Sequence, residues 1–479
     1  MINKVFSINT TKINNYLWLY FIVVVLCNLV FKLPYLEYSS FWYDEIISVQ
    51  SASLDFGHIK HVSEWDKNPP FYYYCLSVWI KLFNDSEFCV RLLSVIFSAL
   101  AGGILFVFSN KHFNKTTAIV VSFLYLSSNI LFFYSHEARA YSLAVLLALL
   151  SSYLFFELKN KPTAKIWLML GLINFLLIYT HYITGFVILF QLFFVTFSFN
   201  KTSKKSYLYS SLIVLFLVIL RFTKKQILLV IAFNTKEYTF WLQKATWYDL
   251  IKTLNEFFYN HYLVLPAILL MILGIVYVFC KQIKESKIVA LYCLLVSVGS
   301  ILILFFLGKL TPVFLDRYLL FCVPFLFILI AYTLSFFKFE ILTLSLAIGF
   351  FAYSAFKIDY KTLKGMDYRS VATFVKLVKA NKDLVIVKTK DLKPLFCYYY
   401  EKNYLKDKKD GLSEKENIIF VNSWSEVMVD VSKFDRVIVI DTFQDLNPNE
   451  ADFVSHLSSQ KHYHSQSNAY SGVRLSFYR

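Results

Sequence analysis

Glycine and proline are scarce in this chain, 12 and 9 among 479 residues, and charged side chains make up only 17%. A low-complexity or disordered chain is rich in the first two, and a soluble enzyme carries about 25% charged residues. Cysteine is thin as well. The seven thiols, Cys27, Cys75, Cys89, Cys280, Cys293, Cys322 and Cys397, show neither paired metal spacing nor the framework of a stapled secreted domain. Most fall inside apolar runs, where a buried structural thiol is expected. What abounds is hydrophobicity, at 57%, and aromaticity, at 19%. Those proportions leave a polytopic membrane protein, whose spans satisfy their backbone internally and need roughly 20 apolar residues each.

The net charge is +16, from 48 Lys and Arg against 32 Asp and Glu. No basic stripe on a soluble domain accompanies it, so it reads as lysine-rich cytoplasmic loops and no nucleic-acid partner is expected. After Lys4, Lys12 and Asn15, an apolar run from Tyr16 to Tyr35 ends without the small-residue exit of a signal peptide and predicts a first span. Further runs at 88–109, 117–134, 141–157, 166–180, 182–199, 207–220, 262–280, 288–308, 318–337 and 341–356 bring the total to about eleven transmembrane helices. Two shorter segments, aromatic 71–84 and 226–233, suit interfacial or re-entrant helices.

Lys111 and Lys115, Lys159 to Lys165, Lys201 to Lys205, and Lys281 to Lys287 occupy alternate connections, which puts the N-terminus in the cytoplasm. Loops 38–70, 134–140, 221–261 and 309–317 then face outside. Loop 221–261 is itself basic, with Arg221, Lys224, Lys225, Lys236, Lys244 and Lys252, and invites an anionic ligand. Beyond Lys357 the chain turns polar. Short β-type runs at Leu384–Lys388, Ile418–Val421, Val437–Ile440 and Val473–Tyr478, with helical patterns at 368–380 and 450–459, predict a small α/β domain over 358–479. An odd span count places it outside. The membrane domain is expected to be 1–357.

Chemistry-bearing residues gather in the outward loops. Asp44 and Glu45 follow the first span in Phe-Trp-Tyr-Asp-Glu, where a falling dielectric can push two adjacent carboxyl groups apart and leave one an ionised base. A helix N-terminus would also favour both acids. The loop closes with Asp66, Lys67 and Asn68 before Pro69-Pro70-Phe71, a proline pair suited to fixing helix entry. His136-Glu137-Ala138-Arg139-Ala140-Tyr141 lies between the third and fourth spans; in a helix Glu137 and Tyr141 would share a face, and Arg139 could grip a phosphate bidentately. Asp316-Arg317-Tyr318 opens the tenth span. His181, in Thr-His-Tyr, reads first as a polar turn residue because no second metal ligand is near.

In combination these motifs are specific. Tyr-Asp-Glu after the first span, Asn-Pro-Pro-Phe-Tyr-Tyr, Phe-Asn-Asp-Ser-Glu-Phe-Cys-Val-Arg-Leu-Leu-Ser and His-Glu-Ala-Arg-Ala-Tyr-Ser-Leu resemble the GT-C glycosyltransferases. The likeness is to the bacterial branch of the protein mannosyltransferase and lipid A aminoarabinose transferase group. It covers about residues 16–200, and later rests on Arg317-Tyr318 and the general layout. It implies a GT-C fold in a bacterial cytoplasmic (inner) membrane, with active site and tail domain on the extracytoplasmic side.

The activity so implied is inverting transfer of a sugar from a polyprenyl-phosphate donor to a hydroxyl or phosphate on a lipid, glycan or protein. Asp44 matches the catalytic base, Glu45 its acidic neighbour and Glu137 the acid of the second outward loop. Arg139, Arg317, Lys67 and Tyr141 would meet the donor phosphate; Asp66, Asn68, His136, Tyr318 and His181 would line the substrate pocket. Some members place a Lys directly before Pro-Pro, where this chain has Asn68. The resemblance includes metal-independent members and fixes no cofactor, while Asp44, Glu137 and Asp66 could collect a divalent cation. The alternatives are a lipid-linked sugar flippase, which would carry mid-membrane charges or related halves, and a polysaccharide ligase or polymerase using loop 221–261.

Overall fold

The computed structural model describes residues 10–62, 68–222, 243–258, 261–280, 284–335, 340–358, 360–361, 366–388, 390–402, 416–442, 457–459, 461–470 and 473–479. Each of the eleven long apolar runs forms helix there, as a backbone surrounded by hydrocarbon must. Among the described residues five helices are individually long and apolar enough to cross a membrane: Glu87–His112, Tyr141–Asn160, Lys201–Arg221, Ser286–Leu310 and Asp316–Leu334. Lys115–Ser127 and Asn129–Ser135 make a sixth if this pair, bent by 59°, is one broken span. Ser128 sets the bend: its Oγ accepts from Leu131 N–H at 3.4 Å and caps the second piece. Leu17–Lys32, Ala164–Ile178, Tyr182–Ser198 and Val264–Gly274 are shorter apolar helices. The aromatic segment forms the helix Phe71–Leu82 with Pro70 at its N-cap. Segment 226–233 lies outside the described residues.

Two compact units divide the chain. The first comprises Met1–Pro34, Asp55–Phe83 and Cys89–Ile358. Helices touch closely in it where small residues permit. A Cβ at Gly103 would stand 2.6 Å from the Phe21 ring and 2.8 Å from Val25, so only glycine admits this approach of Thr10–Lys32 to Glu87–His112. Polar glue adds to packing. Ser151 donates to Asn174 at 2.5 Å, Asn174 to Gln191 at 2.9 Å, and Gln191 back to Ser151 at 2.7 Å, closing a buried ring across three helices. An apolar cavity of about 280 Å³ lies among Val120, Leu124, Leu270, Phe327, Ile330 and Phe350.

The second unit comprises Tyr35–Leu54, Asn84–Phe88 and Asp359–Arg479. Its sheet contains β1 (Asp383–Lys388), β2 (Ile418–Val421), β3 (Arg436–Thr442), β4 (Tyr463–Tyr470) and β5 (Val473–Tyr478), in the order β2-β1-β3-β5-β4. The first three are parallel, and β5 and β4 add antiparallel. β1 is buried throughout, which accounts for its unbroken Leu-Val-Ile-Val run. Leu384, Ile386, Val421, Val437, Val439 and Tyr478 form the core. Helix Tyr368–Val378 buries Tyr368, Val371, Ala372 and Val375, the stripe expected of an amphipathic helix. Most of 450–459 lies outside the described residues. The loop 38–70 is therefore shared: Asp44 and Glu45 belong to the unit of the C-terminal sheet.

Among the described residues six cysteines are free thiols, of which Cys293, Cys322 and Cys397 are buried; Cys75 and Cys89 are half-buried and Cys27 is exposed. Burial thus holds for fewer of them than their apolar surroundings suggested.

Candidate functional site

Asp44 and Glu45 lie in the first turn of helix Tyr43–Ala52. Its opening separates the two acids. Glu45 is fully buried and its Oε2 accepts from the Trp42 N–H at 3.4 Å, a cap on the helix start. Asp44 stays half-exposed, and its carbonyl accepts from Ser48 Oγ at 3.0 Å. The helix-start reading is therefore met by Glu45, while the Asp44 carboxylate is left half-exposed.

The segment 136–140 is a tight turn, not a helical one, so Glu137 and Tyr141 do not share a helix face. His136 closes helix Asn129–Ser135, and the Arg139 N–H donates to the Glu137 carbonyl at 2.8 Å. The His136 Nε2–H donates to the Lys32 carbonyl at 2.7 Å, which ties the turn to the end of the first helix. Lys32 is itself fully buried, with Nζ on Ser98 Oγ at 2.9 Å and 4.6 Å from the Tyr125 ring. Glu137 and Arg139 are both buried; Arg139 Nη1 donates to the Tyr73 hydroxyl at 3.3 Å. A Phe71 N–H bond to the Tyr179 carbonyl, 3.1 Å, holds the helix that supplies Tyr73.

His181 sits among these groups. It is 5% exposed, and its ring lies 5.1 Å from that of Tyr318 and 6.3 Å from that of Tyr141. Nδ1 has no hydrogen-bond partner among the described residues. Burial, helped by the positive charges of Arg139 and Arg317, drives its pKa down to about 3, so the imidazole is neutral at physiological pH. Arg317 and Tyr318 lie on the 3₁₀ segment Asp316–Cys322, longer than the three or four residues usual for that geometry. The guanidinium of Arg317 is 5.8 Å from the Tyr318 ring. Arg139, Arg317, His181, Tyr141 and Tyr318 thus come together. Two guanidinium groups beside tyrosine rings and a neutral imidazole are chemically suited to an anion such as a phosphate ester.

Sequence reasoning passed over two members of this neighbourhood. Tyr134 feels the charges of Glu137, Asp316 and Arg317, and its ring is 5.3 Å from Tyr141. Glu256, on helix Trp247–Phe257, has its pKa raised by burial and by the Asp316 carboxylate. The weak hint was its place in the basic loop 221–261, most of which lies outside the described residues. Asp66 and Lys67 are also outside them, while Asn68 is half-buried before the buried Pro69 and Pro70. Among the described residues no three His, Cys, Asp or Glu side chains gather as a metal site.

The apolar helices define a multi-pass membrane protein in which the charges of Arg139 and Arg317 bear on a buried His181. The particular fold is that of the GT-C glycosyltransferases. The structure matches the apo crystal structure of ArnT from Cupriavidus metallidurans with a TM-score of 0.63 at 10% identity, over 95% of this chain and 97% of that one. The same enzyme bound to undecaprenyl phosphate matches at 0.57, with equal identity and coverage. The archaeal oligosaccharyltransferase AglB from Archaeoglobus fulgidus, in complex with an inhibitory peptide and a dolichol-phosphate, matches at 0.52 and 9% identity, over 88% of this chain and 69% of that one. In sequence, residues 67–222 match the dolichyl-phosphate-mannose-protein mannosyltransferase family model. No curated protein matches.

Proposed function

We propose that this protein is an inverting glycosyltransferase that moves a sugar from a polyprenyl-phosphate donor to a hydroxyl or phosphate acceptor at the extracytoplasmic face of a bacterial cytoplasmic membrane. One observation carries the reading. The segment similar to the mannosyltransferase family, 67–222, contains Glu137, Arg139, Tyr141 and His181, all buried, with the positive charges of Arg139 and Arg317 bearing on His181. The lipid-bound ArnT and AglB structures of the same fold support a lipid-linked donor.

In this reading Asp44 is the general base. Its carboxylate takes the proton of the acceptor hydroxyl as that oxygen attacks the anomeric carbon, a step typically worth about 10²–10⁴-fold. The bond from that carbon to the phosphate oxygen breaks on the opposite face, and its electron pair leaves with polyprenyl phosphate. That leaving group departs ionised, so no second carboxyl need act as acid, unlike the pair that flanks a glycosidic bond in glycosidases. Arg139 and Arg317 stabilise its charge, in a site where fixed cations act more strongly than in water. His181 stays neutral and offers a ring nitrogen to the phosphate, while Tyr141 and Tyr318 wall the site. Glu137 orients Arg139 through the turn they share. Glu45 serves by capping the helix that presents Asp44. Lys67, by its positive charge, would serve the donor phosphate, and Asp66, Asn68 and His136 the substrate pocket.

The test uses purified protein in lipid with a panel of radiolabelled polyprenyl-phosphate sugars and membrane extract as acceptor. Wild type transfers label from one donor, and Asp44→Asn transfers none while binding that donor equally well. Movement of labelled lipid between leaflets without transfer would replace this reading with a flippase. Equal activity of the Asp44→Asn variant would remove Asp44 as base.

A further inference from the structure

The unit built on the C-terminal sheet reaches back across the sequence to the residues just ahead of Asp44. Arg369, on helix Tyr368–Val378, donates through Nη1 to the Glu37 carbonyl at 3.0 Å and through Nη2 to the Tyr38 carbonyl at 2.8 Å. The same Nη1 lies 3.3 Å from Glu87 Oε1. Tyr399, on helix Lys393–Tyr400, donates its hydroxyl hydrogen to that Glu87 oxygen at 2.8 Å and accepts the Phe41 N–H at 2.7 Å. Ser40 Oγ donates to the Met366 carbonyl at 3.0 Å. The Phe41 ring, fully buried, meets the Tyr398 ring edge-on at 5.2 Å. Five consecutive residues, Glu37 to Phe41, thereby have four fixed to the tail, and Trp42 and the Asp44 helix follow at once.

These bonds form a relay. Glu87 is shared by Arg369 and Tyr399, so one carboxylate links the clamp on Glu37 and Tyr38 to the clamp on Phe41. Burial and the neighbouring Glu87 charge push the Tyr399 phenol well up, which keeps it a proton donor to that carboxylate. Tyr398 extends the same hold, donating to the Asp85 carbonyl at 2.7 Å, and Lys402 pairs with Asp85 at 2.8 Å. Charge-assisted bonds in a half-buried setting are stronger and more geometrically exacting than exposed pairs. None of the three central residues carries chemistry of its own here. What they fix is the origin of helix Tyr43–Ala52.

We propose that the C-terminal unit is the support that sets the catalytic helix, with Arg369, Glu87 and Tyr399 as positioning residues for Asp44. The catalytic part of this statement rests on Asp44 being the base. A reacting group displaced by about 1 Å can lose about 10²-fold in rate with its binding partners intact. The relay therefore acts on turnover and leaves donor affinity alone.

The experiment compares full-length wild type with Tyr399→Phe, which deletes one hydroxyl and keeps the ring, and with Arg369→Ala and Arg369→Lys, all in lipid. Amide hydrogen exchange over residues 35–54 and transfer kinetics are both recorded. Exchange in that stretch is expected to rise roughly tenfold or more in Tyr399→Phe and Arg369→Ala, with kcat falling about 10–100-fold at unchanged donor KM, and Arg369→Lys recovering part of both. Unchanged exchange in both variants would overturn the clamp. Raised exchange with unchanged kcat would overturn its role in placing Asp44. If wild type transfers no sugar from any donor, the transferase reading fails on its own, and the exchange measurement still decides whether the tail holds the helix.

Discussion

Two adjacent acids show how much a single residue's setting matters. Asp44 and Glu45 are chemically alike in the sequence, yet one is half-exposed and the other buried against the Trp42 amide. Asp44→Asn is expected to abolish transfer, whereas Glu45→Gln, whose amide oxygen still accepts that bond, costs about 1 kcal/mol of stability and only a few-fold in rate; paired kinetics and thermal melts check both. Arg139→Ala and Arg317→Ala are expected to weaken donor binding roughly 10–100-fold, since hydrogen bonds to charged groups contribute about 1.5–3 kcal/mol. Equilibrium binding of labelled polyprenyl phosphate measures this. His181 makes a pH prediction. Its folded pKa of about 3 lies below the ordinary value of 6.5, so the unfolded chain binds the extra proton first. Its neutral form contributes stability fully above pH 6.5, and that contribution drains as pH falls toward 3. Melting temperature should drop over this window in wild type and drop less in His181→Gln.

Elements were legible where hydrophobic pattern alone decides them. Long apolar runs had to be helices, and the unbroken Leu384–Val387 run had to be a strand buried on both sides. The misses have physical causes. β4, Tyr463–Tyr470, is a polar edge strand that owes its form to pairing with β5, with register shifts along it, so no alternation marks it. Helix Lys393–Tyr400 is only eight residues, with Pro394 in its first turn. The turn 136–140 falls within the loop read at 134–140, but its tightness, which keeps Glu137 and Tyr141 off one helical face, has no hydrophobic pattern to announce it. The pocket was half visible: the arginines and His181 stood out by type, but their meeting with one another depends on packing between distant segments. Packing also yields a prediction. Gly103→Val would drive side-chain atoms into Phe21 and Val25, an overpacking worth about 1–3 kcal/mol, and should lower the melting temperature in detergent.

For the whole molecule, the open matter is sidedness. The alternation of lysine-rich loops predicts that Arg479 lies outside the cytoplasm. Alkaline phosphatase fused there should be active and a fused green fluorescent protein dark; the reverse pattern would invert the topology and move the site to the other face.

The bond between Phe41 and Tyr399 spans 358 positions. At synthesis rates of about 5–20 residues per second, a nascent chain waits roughly 20 s to more than a minute between making the first partner and making the second. Its early helices enter the bilayer with Asp44 on an untethered stretch, and the last quarter of the message supplies the brace. If that brace sets Asp44 as proposed, a chain that stops short of it is expected to insert in the membrane and yet transfer no lipid-linked sugar.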